Sequence, residues 1–169
     1  ERSQLFDSSP LGTYQEYVER YIQTVNPDSL SYDFYPLRRA GLKGTVHPNW
    51  LSDLETYANF SKEYKIPFTL YVQVTQHLTM SKINFYREMA WQCYSAMAYG
   101  VKGIDTFMYW SYMIPDNNTN NLGTSMVDAE GNIMPVYYAV QEVFDEIKSF
   151  DELYMAFGWE KTMPIGLSG

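Results

Sequence analysis

Three short segments of this 169-residue chain end in side chains that can do chemistry: Ser31-Tyr32-Asp33-Phe34-Tyr35-Pro36, Tyr71-Val72-Gln73-Val74-Thr75-Gln76-His77 and Phe107-Met108-Tyr109-Trp110-Ser111-Tyr112. Each begins as an apolar or β-prone run, the pattern of a strand. Each finishes in aromatic and hydrogen-bonding groups, where a purely structural strand would turn. Asp33 offers a carboxylate, Tyr35 a phenol, Gln73 and Gln76 amides, His77 an imidazole, and Tyr109 and Trp110 large rings. That set suits a flat, hydroxyl-rich ligand such as a sugar. A ring covers the ligand's apolar face while the polar groups take its hydroxyls.

Asp33 is the only acidic residue near the end of a predicted strand, which makes it the candidate catalytic group. By the two-residue period, Ser31, Asp33 and Tyr35 share one face. The competing reading ties Asp33 to Arg38 or Arg39 as a structural anchor. His77 follows its strand and can donate to a sugar oxygen or tune a carboxylate, whereas His47, between Val46 and Pro48, reads as a loop histidine. Asp105 sits early in its strand, where a structural role is expected. Strand alternation sends Tyr109 and Trp110 to opposite sides unless the strand is already bending.

The elements that must carry these residues follow from periodicity. Thr13 and Glu16 form a capping box for a helix with Tyr14, Tyr17, Val18, Tyr21, Ile22 and Val25 at helical spacing, stopped by Asn26-Pro27. Leu30 to Tyr35 is the first strand, and Arg38 to Pro48, with Gly41 and Gly44, reads as a loop. Asn49 opens a second helix with Trp50, Leu54, Tyr57, Ala58 and Phe60 or Ser61 inward. Phe68 to Gln76 is the second strand. A third helix is expected from Ser81, with Phe85, Met89, Gln92, Ala96 and Tyr99 on one side and Gly100 as its stop. Val101 to Trp110 is the third strand. Residues 126–133 suggest a small hairpin. Pro135 starts a last helix to about Ser149, with Tyr138, Val140 or Gln141, Val143 or Phe144 and Ile147 inward.

Strands alternating with helices imply a parallel sheet with right-handed crossovers, and in such folds ligands bind at the C-terminal ends of the strands. Three strands are too few to close a barrel. The expectation is an α/β chain forming the C-terminal part of a TIM (β/α)8 barrel, about three parallel strands alternating with helices, with an open flavodoxin-like sheet, which normally needs more strands too, as the alternative. Residues 1–150 would form the partial barrel and 151–169 a tail.

Composition narrows the classes. Twelve Lys plus Arg against 20 Asp plus Glu give a formal charge of −8, which argues against a nucleic-acid surface. No stretch approaches the roughly 18 apolar residues that span a bilayer, so no membrane partner is expected. The lone Cys93 lies in an apolar run and reads as buried and structural. No phosphate loop, dinucleotide fingerprint or metal-ligand spacing stands out, so neither cofactor nor metal is expected. The chain opens Glu1-Arg2-Ser3-Gln4 without Met or an apolar leader, and is read as a mature or trimmed piece.

The segment Ser31 to Pro36, Ile66-Pro67-Phe68 with Thr75 and His77, and Ala98-Tyr99-Gly100-Val101-Lys102-Gly103-Ile104 running into Phe107 to Trp110 together resemble the second half of a glycoside hydrolase barrel. The group it is similar to is the bacterial β-galactosidase-like barrels related to family 42. Val127 to Asn132 and Val136 to Val143 are similar to that group's last hairpin and helix. The resemblance covers roughly residues 13 to 150. It implies hydrolysis of a glycosidic bond with retention, by two glutamates at the ends of the fourth and seventh strands. It also implies carbohydrate as partner and a secreted or periplasmic location. The strand matching the seventh carries Gln73 and Gln76 and no acid, while the fourth would precede Glu1. At least one catalytic carboxylate is thus expected outside this chain. The open sheet would take either a missing N-terminal half or a copy of itself.

Overall fold

In the computed structural model, residues 12–40, 43–75, 85–110 and 125–163 are described. The elements are α1 (Tyr14–Val25), β1 (Leu30–Asp33), β2 (Leu37–Ala40), β3 (Lys43–Val46), α2 (Trp50–Tyr64), β4 (Phe68–Gln73), α3 (Tyr86–Ala98), β5 (Gly103–Phe107), α4 (Pro135–Lys148) and α5 (Asp151–Met155). This is a mixed α/β architecture. β1, β4 and β5 form a parallel sheet in that order, and β2 pairs antiparallel with β3. Among the described residues, no helix is long and apolar enough to cross a membrane.

Local chemistry sets the first helix. Thr13 Oγ1 accepts the Glu16 N–H at 3.2 Å, and the Glu16 carboxylate accepts the Thr13 N–H at 2.7 Å. Asn26 closes the helix in the left-handed conformation (φ 50°), its N–H reaching Ile22 O. Asn49 stands at the cap position of α2, but its side chain makes no capping bond. Instead Ser52 Oγ donates to the Asn49 carbonyl at 3.0 Å.

One face of the sheet is the core. Leu30, Tyr32, Phe68, Leu70 and Val72 are buried there against Trp50, Leu54, Tyr57, Met89 and Cys93 of the helices. The Tyr32 hydroxyl donates to the buried Asp53 carboxylate of α2 at 2.7 Å. This places a polar link where an unpaired carboxylate would be costly. α1 joins the same side, with Tyr14 Oη 3.1 Å from Tyr57 Oη. α4 is clamped to α3 by Glu146, whose carboxylate accepts the hydroxyls of Tyr86 and Tyr94 at 2.6 and 2.7 Å.

Several expectations are corrected. Most of the expected loop over 38–48 is strand: Leu37 pairs with Val46 and Arg38 with Thr45 between β2 and β3. The strands end sooner, at Asp33, Gln73 and Phe107. Ser81 lies outside the described residues, and α3 starts at Tyr86, with Phe85 at its cap and 58% exposed. In α4 the buried stripe is Val136, Ala139, Val140 and Val143, leaving Tyr138 59% exposed. Val140 and Val143 are buried as expected, and the small Ala139 takes the place of Tyr138 in the helix interface. The segment after α4 is docked: Tyr154 Oη bonds the carbonyls of Met97 and Val101, and Thr162 Oγ1 donates to Ala98 O.

Candidate functional site

The second sheet face has no described helix against it, and it is polar. Strand register sets its side chains in rows: Ser31, Thr69 and Gly103 lie level, and above them Asp33, Tyr71 and Asp105. Gln73 and Phe107 form the next row. Ser31, Asp33, Asp105 and Phe107 are exposed, while Thr69 and Tyr71 are half-buried. No Lys or Arg occurs in β1, β4 or β5. Hydroxyls and carboxylates without a fixed cation suit a neutral polyol better than an anion.

Tyr35 leaves β1 and stacks on Phe107, ring centroids 6.2 Å apart and 24° from coplanar. Burial pushes the Tyr35 phenol well above its usual range, and the charge and hydrogen bonding of Asp33 push it further. Tyr35 is therefore a proton donor held beside the Asp33 carboxylate. Tyr109 and Trp110 lie past the end of β5 and are 59% and 49% exposed. The strand has ended, so alternation no longer forces them apart. Val127 N–H donates to Tyr109 O at 2.8 Å, and Trp110 bridges to Val127.

Gln73 is placed differently from the expectation of a sugar contact. It is fully buried, and its Oε1 accepts the Leu37 N–H at 3.2 Å, fixing the start of the hairpin. Alternate residues of β4 address opposite neighbours. Val74 N–H reaches Phe107 O, so the Gln73 peptide groups point to the β1 side, where β1 has already ended. Gln92 of α3 supplies the missing partner: its Oε1 accepts Gln73 N–H at 2.9 Å and its Nε2 donates to Gln73 O at 3.1 Å. Beyond it, Thr75 and Ser125 share a buried hydroxyl contact of 2.7 Å. Gln76 and His77 lie outside the described residues.

His47 sits edge-on to Phe34 with centroids 4.8 Å apart, and its Nδ1 accepts the Asn49 N–H. It shapes the hairpin exit on the core side of the sheet. Asp105, in the middle of β5, stands level with Asp33, and Tyr71 lies between them. The two-residue period within β5 already grouped Asp105 with Phe107, but the level of β5 against its neighbours was not readable.

A cleft of about 440 Å³ opens elsewhere, at the N-terminal end of β5, between Met97, Val101, Lys102, Phe144, Ile147 and Tyr154. Lys102 is engaged there. Its ammonium donates to Phe157 O at 2.7 Å and lies 4.5 Å from the centre of the Tyr154 ring, and burial lowers its pKa. Among the described residues, no group of three His, Cys, Asp or Glu is placed to hold a metal ion.

Compared with known proteins, the chain matches no family model, no curated protein and no solved structure. The fold and the site therefore rest on their own geometry.

Proposed function

We propose that this chain is the carbohydrate-binding part of a (β/α)8 barrel and that it hydrolyses glycosidic bonds when the barrel is complete. Two features of the fold support the barrel. The parallel strands follow one another in chain order, and the described helices cover a single face. A doubly wound sheet reverses its order and takes helices on both faces; a barrel does neither. Among the described residues, the outer edges of β1 and β5 carry no strand partner, and strands of an N-terminal half would pair there.

The observation that carries the functional reading is the row Asp33, Tyr71 and Asp105 on the uncovered face, with the exposed Tyr109 and Trp110 following the end of β5. In this reading Trp110 and Tyr109 take the apolar face of a sugar ring, Tyr35 and Tyr71 bond its hydroxyls, and Asp33 reaches the reacting end. The test is cleavage of 4-nitrophenyl β-galactoside, β-glucoside and β-xyloside by the intact protein. Release of nitrophenol that falls at least tenfold in Asp33→Asn supports it; absence of cleavage by the wild type sinks the hydrolase reading.

Gln73 favours a second reading, a barrel that binds sugars without cleaving them. The strand where the resemblance implies a catalytic glutamate carries no acid, and its Gln73 is a buried amide that anchors Leu37. Calorimetry with methyl β-galactoside separates the two, since a binding barrel keeps its affinity in Asp33→Asn and turns nothing over. A self-copy seated on the strand edges in place of an N-terminal half would appear as a dimer in light scattering.

A further inference from the structure

Tyr35 is held at the end of the sheet by contacts that its neighbours make. β1 ends at Asp33 and β2 begins at Leu37, so no strand ladder fixes the residues between them. Pro36 confines the Tyr35 backbone to extended conformations. Phe34 anchors the preceding position in the core, stacked on Tyr32 at 5.8 Å and edge-on to His47. Two hydrogen bonds fix the far side. His47 N–H donates to Pro36 O at 2.8 Å, and Leu37 N–H donates to Gln73 Oε1 at 3.2 Å. The first ties the segment to the strand pair that follows it. The second ties it to β4, the central strand. Gln73 is a firm post for that tie. It is fully buried, and its own N–H and C=O are both taken by the Gln92 amide, at 2.9 and 3.1 Å. Its register partner Phe107 stacks on the Tyr35 ring, with centroids 6.2 Å apart.

We infer that Gln73 is a positioning residue of the sugar site: through the Leu37 N–H it sets where the Tyr35 hydroxyl meets the ligand, and it does not touch the sugar itself. The role rests on the carbohydrate reading above. Burial and the neighbouring Asp33 keep the Tyr35 phenol protonated, so the group that Gln73 positions is a hydrogen-bond donor. A buried amide suits this role better than an acid would. Its oxygen accepts the Leu37 N–H without bringing a charge into the core, where an unpaired carboxylate would be costly.

The experiment measures methyl β-galactoside binding by calorimetry on the intact wild type, Gln73→Met, Tyr35→Phe and the double variant, with circular dichroism checking each fold. Tyr35→Phe removes one hydroxyl bond to the sugar and should weaken binding about three- to tenfold. Gln73→Met keeps the side-chain length but offers Leu37 no oxygen, and should weaken binding by a similar factor. Because Gln73 acts through Tyr35, the double variant should bind within about twofold of Tyr35→Phe alone, whereas independent effects would multiply. Multiplying effects, or unchanged binding in a folded Gln73→Met, overturn the inference and leave the carbohydrate reading intact. A second measurement needs no variant. In the wild type, saturating methyl β-galactoside should slow hydrogen exchange at the Leu37 amide, since a ligand held by Tyr35 stabilises the Leu37–Gln73 bond. Unchanged exchange with the sugar bound overturns the inference even where Gln73→Met does not fold. Failure of the wild type to bind methyl β-galactoside overturns the carbohydrate reading and the inference with it.

Discussion

Gln92 is the residue whose replacement tests the architecture of the site most quantitatively. Its amide stands in for a strand that has ended, accepting the N–H and donating to the C=O of Gln73 inside the core, where both glutamines are fully buried. Gln92→Met keeps a side chain of similar length and volume but can bond neither group. Each buried backbone group left without a partner costs about 1–3 kcal/mol, so the variant should lose about 2–4 kcal/mol, discounting for partial relaxation. Urea unfolding reads this directly. With a slope of about 2 kcal/mol per molar for a domain of this size, the midpoint falls by about 1–2 M. Gln141→Met, on the exposed side of α4, serves as control and should stay within about 0.5 kcal/mol of wild type. Hydrogen exchange adds a local readout, since the Gln73 amide should exchange faster in Gln92→Met. A midpoint within about 0.3 M of wild type, where a loss of 1–2 M is expected, together with unchanged protection at Gln73, refutes the idea that Gln92 completes the sheet.

Three further predictions concern separate parts of the molecule. At Gly103 an added Cβ would stand 2.8 Å from Thr69 Cγ2, so Gly103→Ala should lose about 1–3 kcal/mol in denaturant unfolding, and adding Thr69→Ser, which removes that methyl, should recover most of it. Burial pushes the Cys93 thiol up to about 12; iodoacetamide at pH 8 should leave it unmodified in the native protein and alkylate it on unfolding, and rapid native labelling would contradict its placement. The Glu146 clamp sets a pH window: the hydroxyls of Tyr86 and Tyr94 hold its carboxyl below the usual carboxylate range. That contribution is complete above the unfolded value of about 4.5 and is lost as pH falls through the folded one. Tyr94 is raised by burial and then by Glu146, so its share is complete below about pH 10 and is lost above it. Thermal unfolding of Glu146→Gln against wild type should therefore differ most between these limits, and the difference should shrink as pH falls through the folded value.

Local chemistry was the legible part of the fold. The capping box at Thr13 and Glu16, the stop at Asn26-Pro27 and the proline start of α4 are each decided by residues a turn apart. Alternation in Leu30 to Asp33 and Phe68 to Gln73 was readable for the same reason. What escaped depends on partners distant in sequence. The β2–β3 hairpin has little apolar alternation, and Gln73, remote in sequence, supplies one of its anchors. Tyr138 fits the helical period about as well as Ala139 does, and only the packing of α4 on α3 chooses between them. Asp33, Tyr109 and Trp110 could be placed at strand ends from sequence alone. That Asp105 stands level with Asp33 could not be read, because it depends on the register of β5 against β4. Gln73 looked like a ligand contact because a terminal amide in a strand can face either a sugar or an unpaired backbone group.

The account's central claim is that the uncovered strand face and its aromatic rim form the sugar site. Indole N–H resonances test it directly, because the four tryptophans report from different places. Trp50 Nε1 donates to Ser95 in the core and Trp159 Nε1 to Thr162 at the far end, while Trp110 is on the rim. Titrating the intact 15N-labelled protein with methyl β-galactoside should move the Trp110 indole signal, together with the amides of Asp33, Tyr71 and Asp105. The Trp50 and Trp159 signals should stay in place. A titration that leaves Trp110 unmoved, or that shifts Trp159 and the residues around Lys102 instead, contradicts the account.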